Sequence, residues 1–470
     1  MAATILHAGA LLVSLFPLAA RGELLYFRNG GQVQAPATLQ DNRVLISIPS
    51  GTYEFRRDDF SRVVPGFIPE SQWEERLRLA RPSGFQARYA ALWWAIENGL
   101  GDEPKAELRE LQRLGRDHAG VARMVGVLDR LQQPLKDPDL TGFRAALGIE
   151  TRIANGSHIV LVHQTTDAEA SERLAVLERV ITGFYLDFAA RGIELAAPGR
   201  RLVVAWFASQ QDYREFLHAQ GADVFASTRG YYHPTWNAVV TYDARSNDHH
   251  KAVLEGIRSR NQEVEQLQTM AQRLPAGAKL RVTLSGESAK NLGKAEAIGL
   301  MERLQRELRR EELLLELERR AIDEGTAAHE IVHLLVANSS LLPRHDAFPI
   351  WLQEGLAMQF ELVRGGRWAG IGRAHDLRLP DWRQIQPPPQ IDALIRDVGL
   401  TRGYERYAYA RAWALVYYLR SAHSAEFLTF LDLLRSPDAS LLELPRTDRY
   451  HATFERAFGS DLVSLERDWH

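Results

Sequence analysis

The 470-residue chain contains no cysteine. Disulfides, thiolate metal ligands, a cysteine nucleophile and a lipidated N-terminal cysteine are therefore excluded, and any metal site must use His, Asp and Glu. An excess of charge of either sign is also missing. Lys and Arg number 57 against 60 Asp and Glu, a net charge of −3. So balanced a surface offers no electrostatic footprint for nucleic acid. An apolar share of 45% with 25% charged residues excludes both a disordered chain and a multi-span membrane protein. The length is too great for one small core and implies two or three domains.

Residues 5–20, ILHAGALLVSLFPLAA, form the one uncharged apolar stretch of a targeting segment. It is short for a membrane span and fits the core of a signal peptide, with small residues that suit cleavage after Gly22. No Lys or Arg precedes it; the terminal amine and His7 supply the only positive charge. The expectation is a signal peptide over 1–22 and a periplasmic or secreted protein. Membrane attachment follows only if the segment stays uncleaved.

The remainder reads as an α+β chain. Residues 23–68 form a small β module: Leu24–Phe27 ends at Asn29-Gly30-Gly31, a hairpin signal, and Val44–Ile48 and Thr52–Phe55 supply two more strands. Residues 69–140 turn helical, with Trp73, Leu77 and Ala80, then Tyr89, Leu92, Trp93 and Ile96, at helical spacing. This reads as a helical spacer. Residues 150–247 alternate in the order β-α-β-α-β-β, which implies a small mixed sheet. Residues 248–320 are a charged helical insertion, broken at Pro275-Ala276-Gly277 and Ser285-Gly286. Residues 321–470 form a helical lobe with a loop at Pro387-Pro388-Pro389.

The chemistry lies in that lobe. His329, Glu330 and His333 spell H-E-x-x-H. On a helix, residues four apart share a face and stand about 6 Å apart along the axis. Two imidazoles so placed can chelate one Zn²⁺, and Glu330 can serve as general base without ligating. A chain of this composition produces such a match by chance on the order of 0.04 times. The flanking Ile331, Val332, Leu334, Leu335 and Val336 mark a buried helix, where unpartnered polar groups are costly. A third ligand is needed. The metzincin positions hold Val336 and Ser339, so that pattern fails. Glu354 follows 21 residues after His333, in Trp351-Leu352-Gln353-Glu354-Gly355-Leu356-Ala357. A helix-borne Glu at about this distance is the thermolysin-like solution. His345 and Asp346, in the intervening loop, are rival ligands ranked below it.

These segments resemble the peptidase-MA-like branch of the gluzincin metallopeptidases, known largely as bacterial domains of unknown function. The likeness extends to Gly230-Tyr231-Tyr232 with Asn237–Tyr242, similar to the hairpin upstream of that family's zinc helix. It also takes in Tyr409-Ala410-Arg411-Ala412-Trp413-Ala414-Leu415-Val416, and the end of the chain from Phe458 to Leu462 with Leu465, Glu466 and Trp469. It covers residues 158–470, apart from the insertion. The resemblance implies a gluzincin-like domain, a small mixed sheet plus active-site helix and helical subdomain. It also implies zinc held by His329, His333 and Glu354. Where thermolysin-like enzymes often carry an acidic residue to orient a ligand His, this chain has Met358; Glu361, expected on the same helix face, is the substitute. Tyr409 matches the position that polarises the scissile carbonyl. Tyr407, Tyr404, Tyr417 and Tyr418 crowd the same region.

The expected function is an exported, zinc-dependent metallopeptidase acting on a peptide or protein through water activated by Glu330. Two alternatives remain open on the residues: a catalytically silent peptidase-like binding or scaffold protein, and a zinc hydrolase of non-peptide amides or esters. An envelope protein is the kind of partner the N-terminal module would meet.

Overall fold

A computed structural model describes residues 21–66, 69–115, 118–283, 289–342, 348–397 and 407–470. Residues 5–20, Ser285-Gly286, His345, Asp346 and Tyr404 lie outside the described residues. The chain divides into two compact units, residues 1–71 and 72–470.

The first unit is one antiparallel sheet of five strands: β1 (Arg21–Phe27), β2 (Gln32–Gln40), β3 (Arg43–Ile48), β4 (Gly51–Arg56) and β5 (Phe60–Pro65), in the order β4-β3-β2-β1-β5. The expected turn is present, with Gly30 and Gly31 at φ 88° and 89°, a backbone that side chains disfavour. Two strands went unforeseen. β2 carries Ala35, Pro36 and Ala37, weak strand formers, yet its alternation buries Val33, Ala35 and Ala37. β5 contributes Phe60, which meets Phe27 and Phe55 at ring-centroid distances of 4.5 and 5.9 Å. Cleavage after Gly22 would remove the first two residues of β1, which pair with Ala37 and Pro36.

The second unit opens with helices α1 (Pro69–Ala80), α2 (Phe85–Glu97), α3 (Lys105–Leu114), α4 (Ala119–Leu131) and α5 (Thr141–Leu147). A spacer is not what they form. Leu92, Ile96, Leu108, Leu111, Val121, Met124 and Leu128 are buried in the same core as the sheet and the candidate metal helix. That sheet contains β6 (Arg152–Asn155), β7 (Ile159–His163), β8 (Leu202–Phe207), β9 (Gly230–His233) and β10 (Ala238–Tyr242) in the order β6-β7-β8-β10-β9. β7, β8 and β10 run parallel, and β6 and β9 pair antiparallel at the edges. Every residue of the three parallel strands is buried, as required of strands covered on both faces. α6 (Asp167–Arg191) covers one face. It starts at a capping box, Thr166 with Glu169, and stops at Gly192 with φ 110°. α5 and α7 (Gln210–Ala219) cover the other.

The insertion is a helical hairpin. α8 (Asp248–Arg273) and α9 (Lys294–Asn338) pack together, joined through the small ribbon β11 (Leu280–Val282) and β12 (Lys290–Leu292). Ile257, Val264 and Ala271 are buried seven apart, and so are Met301, Leu308 and Leu315, the spacing of a coiled-coil seam. α9 runs without interruption for 45 residues from this hairpin into the H-E-x-x-H segment. The boundary expected at residue 320 therefore falls inside a helix.

The rest is helical: α10 (Ile350–Met358), then the ribbon β13 (Val363–Arg364) and β14 (Arg367–Trp368), α11 (Arg378–Gln384), α12 (Ile391–Ile395), α13 (Ala408–Ala422), α14 (Ser424–Arg435), α15 (Ala439–Leu442), α16 (Arg446–Phe458) and α17 (Leu462–Trp469). The fold class is α+β, as expected. Among the described residues no helix is long and apolar enough to cross a membrane.

Candidate metal centre

His329 and His333 stand one turn apart on α9, and Glu354 reaches them from α10. His329 Nε2 lies 3.2 Å from His333 Nε2 and 3.1 Å from Glu354 Oε2, and His333 Nε2 lies 3.7 Å from Glu354 Oε1. Two bonds of about 2.0–2.1 Å at a tetrahedral angle separate their donor atoms by about 3.3 Å. The three spacings bracket that value, so the residues fit a zinc ion. The His–His contact also argues for a cation. Two ring nitrogens facing each other can share only one proton, whereas a metal accepts both lone pairs.

The carboxylates set the tautomers. Glu361 Oε2 accepts from His329 Nδ1 at 2.8 Å, which turns the Nε2 lone pair toward the cluster. Glu361 therefore sits where an orienting acid is needed, but not on the helix as expected: α10 ends at Met358, and Glu361 comes three residues later. Gly325, one turn before His329, makes this approach feasible, since a Cβ there would lie 2.8 Å from the Glu361 carbonyl oxygen.

Burial disfavours a charged ring at His329, yet hydrogen bonds to Glu354 and Glu361 overcome it and hold its pKa well above the usual range. Burial lowers His333 to about 4, leaving it neutral and able to ligate. Burial also raises Glu330 to about 7, opposed by the charge of His329 and the backbone N–H of Tyr232. A bound cation would reverse much of this balance.

Glu330 faces β9, the sheet edge. A Cβ on Gly230 would come within 2.7 Å of Glu330 Cγ and of Thr326 Cγ2, so only glycine permits this strand to cross so near the helix. Asn237 and Asn338 exchange amide hydrogen bonds at 3.0 and 2.9 Å, tying the β9–β10 turn to the end of α9. Tyr409, in the first turn of α13, has the Arg378 guanidinium 5.2 Å from its ring centroid. Tyr407 precedes the helix, while Tyr417 and Tyr418 lie further along it.

α10 is fixed at both ends. Asp397, far along the chain from Glu354, accepts the backbone N–H groups of Ile350 and Trp351 at 3.0 and 3.2 Å, satisfying two free donors of the first turn. Gly355, next to the ligand, packs against α13, where a Cβ would lie 2.6 Å from the Ala412 carbonyl oxygen. Alanine in place of a helical glycine ordinarily stabilises by about 1 kcal/mol. Here the collision dominates, and Gly355→Ala should destabilise the protein by about 1–3 kcal/mol, as overpacking does. Urea unfolding measures the sign; a more stable variant would remove this account of the α10–α13 contact.

Sequence reasoning missed Asp397, His375 and Arg378 (the last two adjoin Glu361), together with the close approaches at Gly230, Gly325 and Gly355. Glycine inside a helix, at Gly325 and Gly355, was the one available signal.

The fold and site define an α+β chain with a two-histidine, one-glutamate cluster, His329 buried and His333 and Glu354 half-buried, able to hold a metal. A family model described as "Protein of unknown function (DUF1570)" matches residues 323–437, about a quarter of the chain, from just before His329 into the region after α14. No curated protein matches the chain.

Proposed function

We propose that the chain is an exported zinc-dependent metallopeptidase of the gluzincin, peptidase-MA-like type. The observation that carries this reading is the spacing of the three donor atoms, 3.1 to 3.7 Å, with Glu330 on the same helix but outside the cluster. His329, His333 and Glu354 would hold the ion. When bound, zinc supplies Lewis acidity toward a carbonyl oxygen and toward water. Glu330 takes a proton from the attacking water on its carboxylate and returns it to the leaving amine. β9, an edge strand beside Glu330, suits an extended peptide that adds backbone hydrogen bonds along it. A purely structural zinc would have no use for Glu330, and this favours an enzyme over a scaffold.

The test is direct. Purified protein should contain about one zinc per chain under the three-ligand scheme. It should also cut members of a peptide library in a manner abolished by a chelator and restored by zinc. Zinc binding without any cleavage would favour the scaffold; no zinc at all would remove the reading.

Tyr409 supplies the oxyanion donor in this scheme. Tyr409→Phe should lower turnover by about two to three orders of magnitude with little change in KM, the signature of a contact made in the transition state. Steady-state kinetics check it. An equal rise in KM with turnover intact would make Tyr409 a substrate-binding residue.

A further inference from the structure

Glu361 divides its two oxygens between two tasks. Oε2 accepts from His329 Nδ1 at 2.8 Å. Oε1 is gripped from the other side by Arg378, whose Nε and Nη2 lie 3.1 and 3.0 Å away, while His375 Nε2 stands 2.9 Å from the same oxygen as a charge contact without hydrogen-bond alignment. The tautomer of His375 follows from its other nitrogen. Nδ1 lies 3.2 and 3.4 Å from the backbone N of Leu377 and Arg378 and accepts from both, so the ring hydrogen sits on the nitrogen beside Glu361.

The segment that carries these residues is closed on itself. Gly365 and Gly366, at φ 59° and 69°, make the tight turn of the β13–β14 ribbon. Arg364 then donates to both oxygens of Asp376 at 2.8 and 2.6 Å and to the Ala374 carbonyl at 2.9 Å. That fork, a geometry lysine cannot reproduce, brackets His375 between two fixed neighbours. Arg378 continues across to the Tyr409 ring.

We propose that His375 and Arg378 are positioning residues for the metal centre: by holding Glu361 Oε1 they aim Oε2 at His329 and thereby set zinc affinity. The proposal rests on the metal-centre reading above. Partners of a ligating histidine typically govern affinity by about 10–100-fold. Among the described residues, the contacts that join His375 and Arg378 to the three ligands run through Glu361.

That route gives the test. Zinc affinity is measured by chelator competition for the full chain, Arg378→Gln, His375→Gln, Glu361→Gln and the double variants. Arg378→Gln and His375→Gln should each weaken zinc binding about 10-fold or more. Arg378→Lys should recover part of the loss, because it keeps the charge and loses the fork. In the Glu361→Gln background, Arg378→Gln should cost nothing further, since coupled residues are not additive. The visible spectrum of the cobalt-loaded protein should shift in the single variants and not between Glu361→Gln and the double variant. Metal-free melting reports whether each variant folds, and His375→Gln reaches the same oxygen if Arg378→Gln does not. Unchanged affinity in both single variants overturns the proposal. So does an equal fold-loss in both backgrounds, which would mark a merely structural role. A wild-type chain that binds no zinc sinks the metal-centre reading, and the proposal with it.

Discussion

Glu330→Gln should retain about one zinc per chain and lose hydrolysis by about two to four orders of magnitude, the usual share of acid–base catalysis. The replacement preserves size, and its amide oxygen can still accept the Tyr232 backbone N–H that Glu330 accepts. His329, His333 and Glu354 are untouched, so metal content separates this effect from unfolding. What the variant loses is the ability to take a proton. A library digest of both proteins, with metal analysis on the same samples, decides the matter. If the variant cuts as fast as the wild type, Glu330 is not the base, even where the metal site is right.

The candidate cluster was legible because its spacing is local. H-E-x-x-H puts two ligands on one helix face by periodicity alone, and the structure brings Glu354 to them as the spacing suggested. The sheet was legible too, since Ile159–His163, Leu202–Phe207 and Ala238–Tyr242 are apolar runs of strand length. What could not be read depends on distant partners. Asp397 caps α10 from beyond the β13–β14 ribbon, α11 and α12, and nothing in its own neighbourhood marks it. His375 and Arg378 acquire meaning only when the β13–β14 ribbon folds back and places them against Glu361.

The helices of 69–140 illustrate the same limit. Their apolar faces are ordinary for an amphipathic helix, and periodicity does not say what a face meets. In the structure α4 packs on α6, and the backbone N–H of Ile371 binds the Glu97 carbonyl at 2.9 Å. The helix end at Glu97 thus braces the segment that follows Glu361. A stretch that reads as a helical spacer is part of the frame behind the candidate site. α9 gives the converse case. Its charged half and its apolar half differ in composition, which suggested a boundary, yet helix propensity and a continuous hydrogen-bond ladder carry the chain straight across.

His333→Ala should remove zinc altogether. The two remaining donors, His329 Nε2 and Glu354 Oε2, lie 3.1 Å apart and would be left as a hydrogen-bonded pair. Two protein ligands do not meet the three that a catalytic zinc needs. A metal-free interpretation of the same cluster makes His329 and Glu354 a buried ion pair and His333 a neutral neighbour. The two accounts differ in what zinc does to stability. A ligand at about 100 times its Kd stabilises the folded state by about 2.7 kcal/mol. Under the metal account, added zinc should raise the melting temperature of the wild type and leave His333→Ala unmoved. Under the ion-pair account, zinc should move neither protein, and the substitution should cost only lost packing. A variant that keeps full zinc content, or that zinc stabilises as much as the wild type, would show that His333 is no ligand. The third ligand would then have to be sought elsewhere, with His345 and Asp346 as the rival candidates, because Glu361 is already engaged through His329 Nδ1.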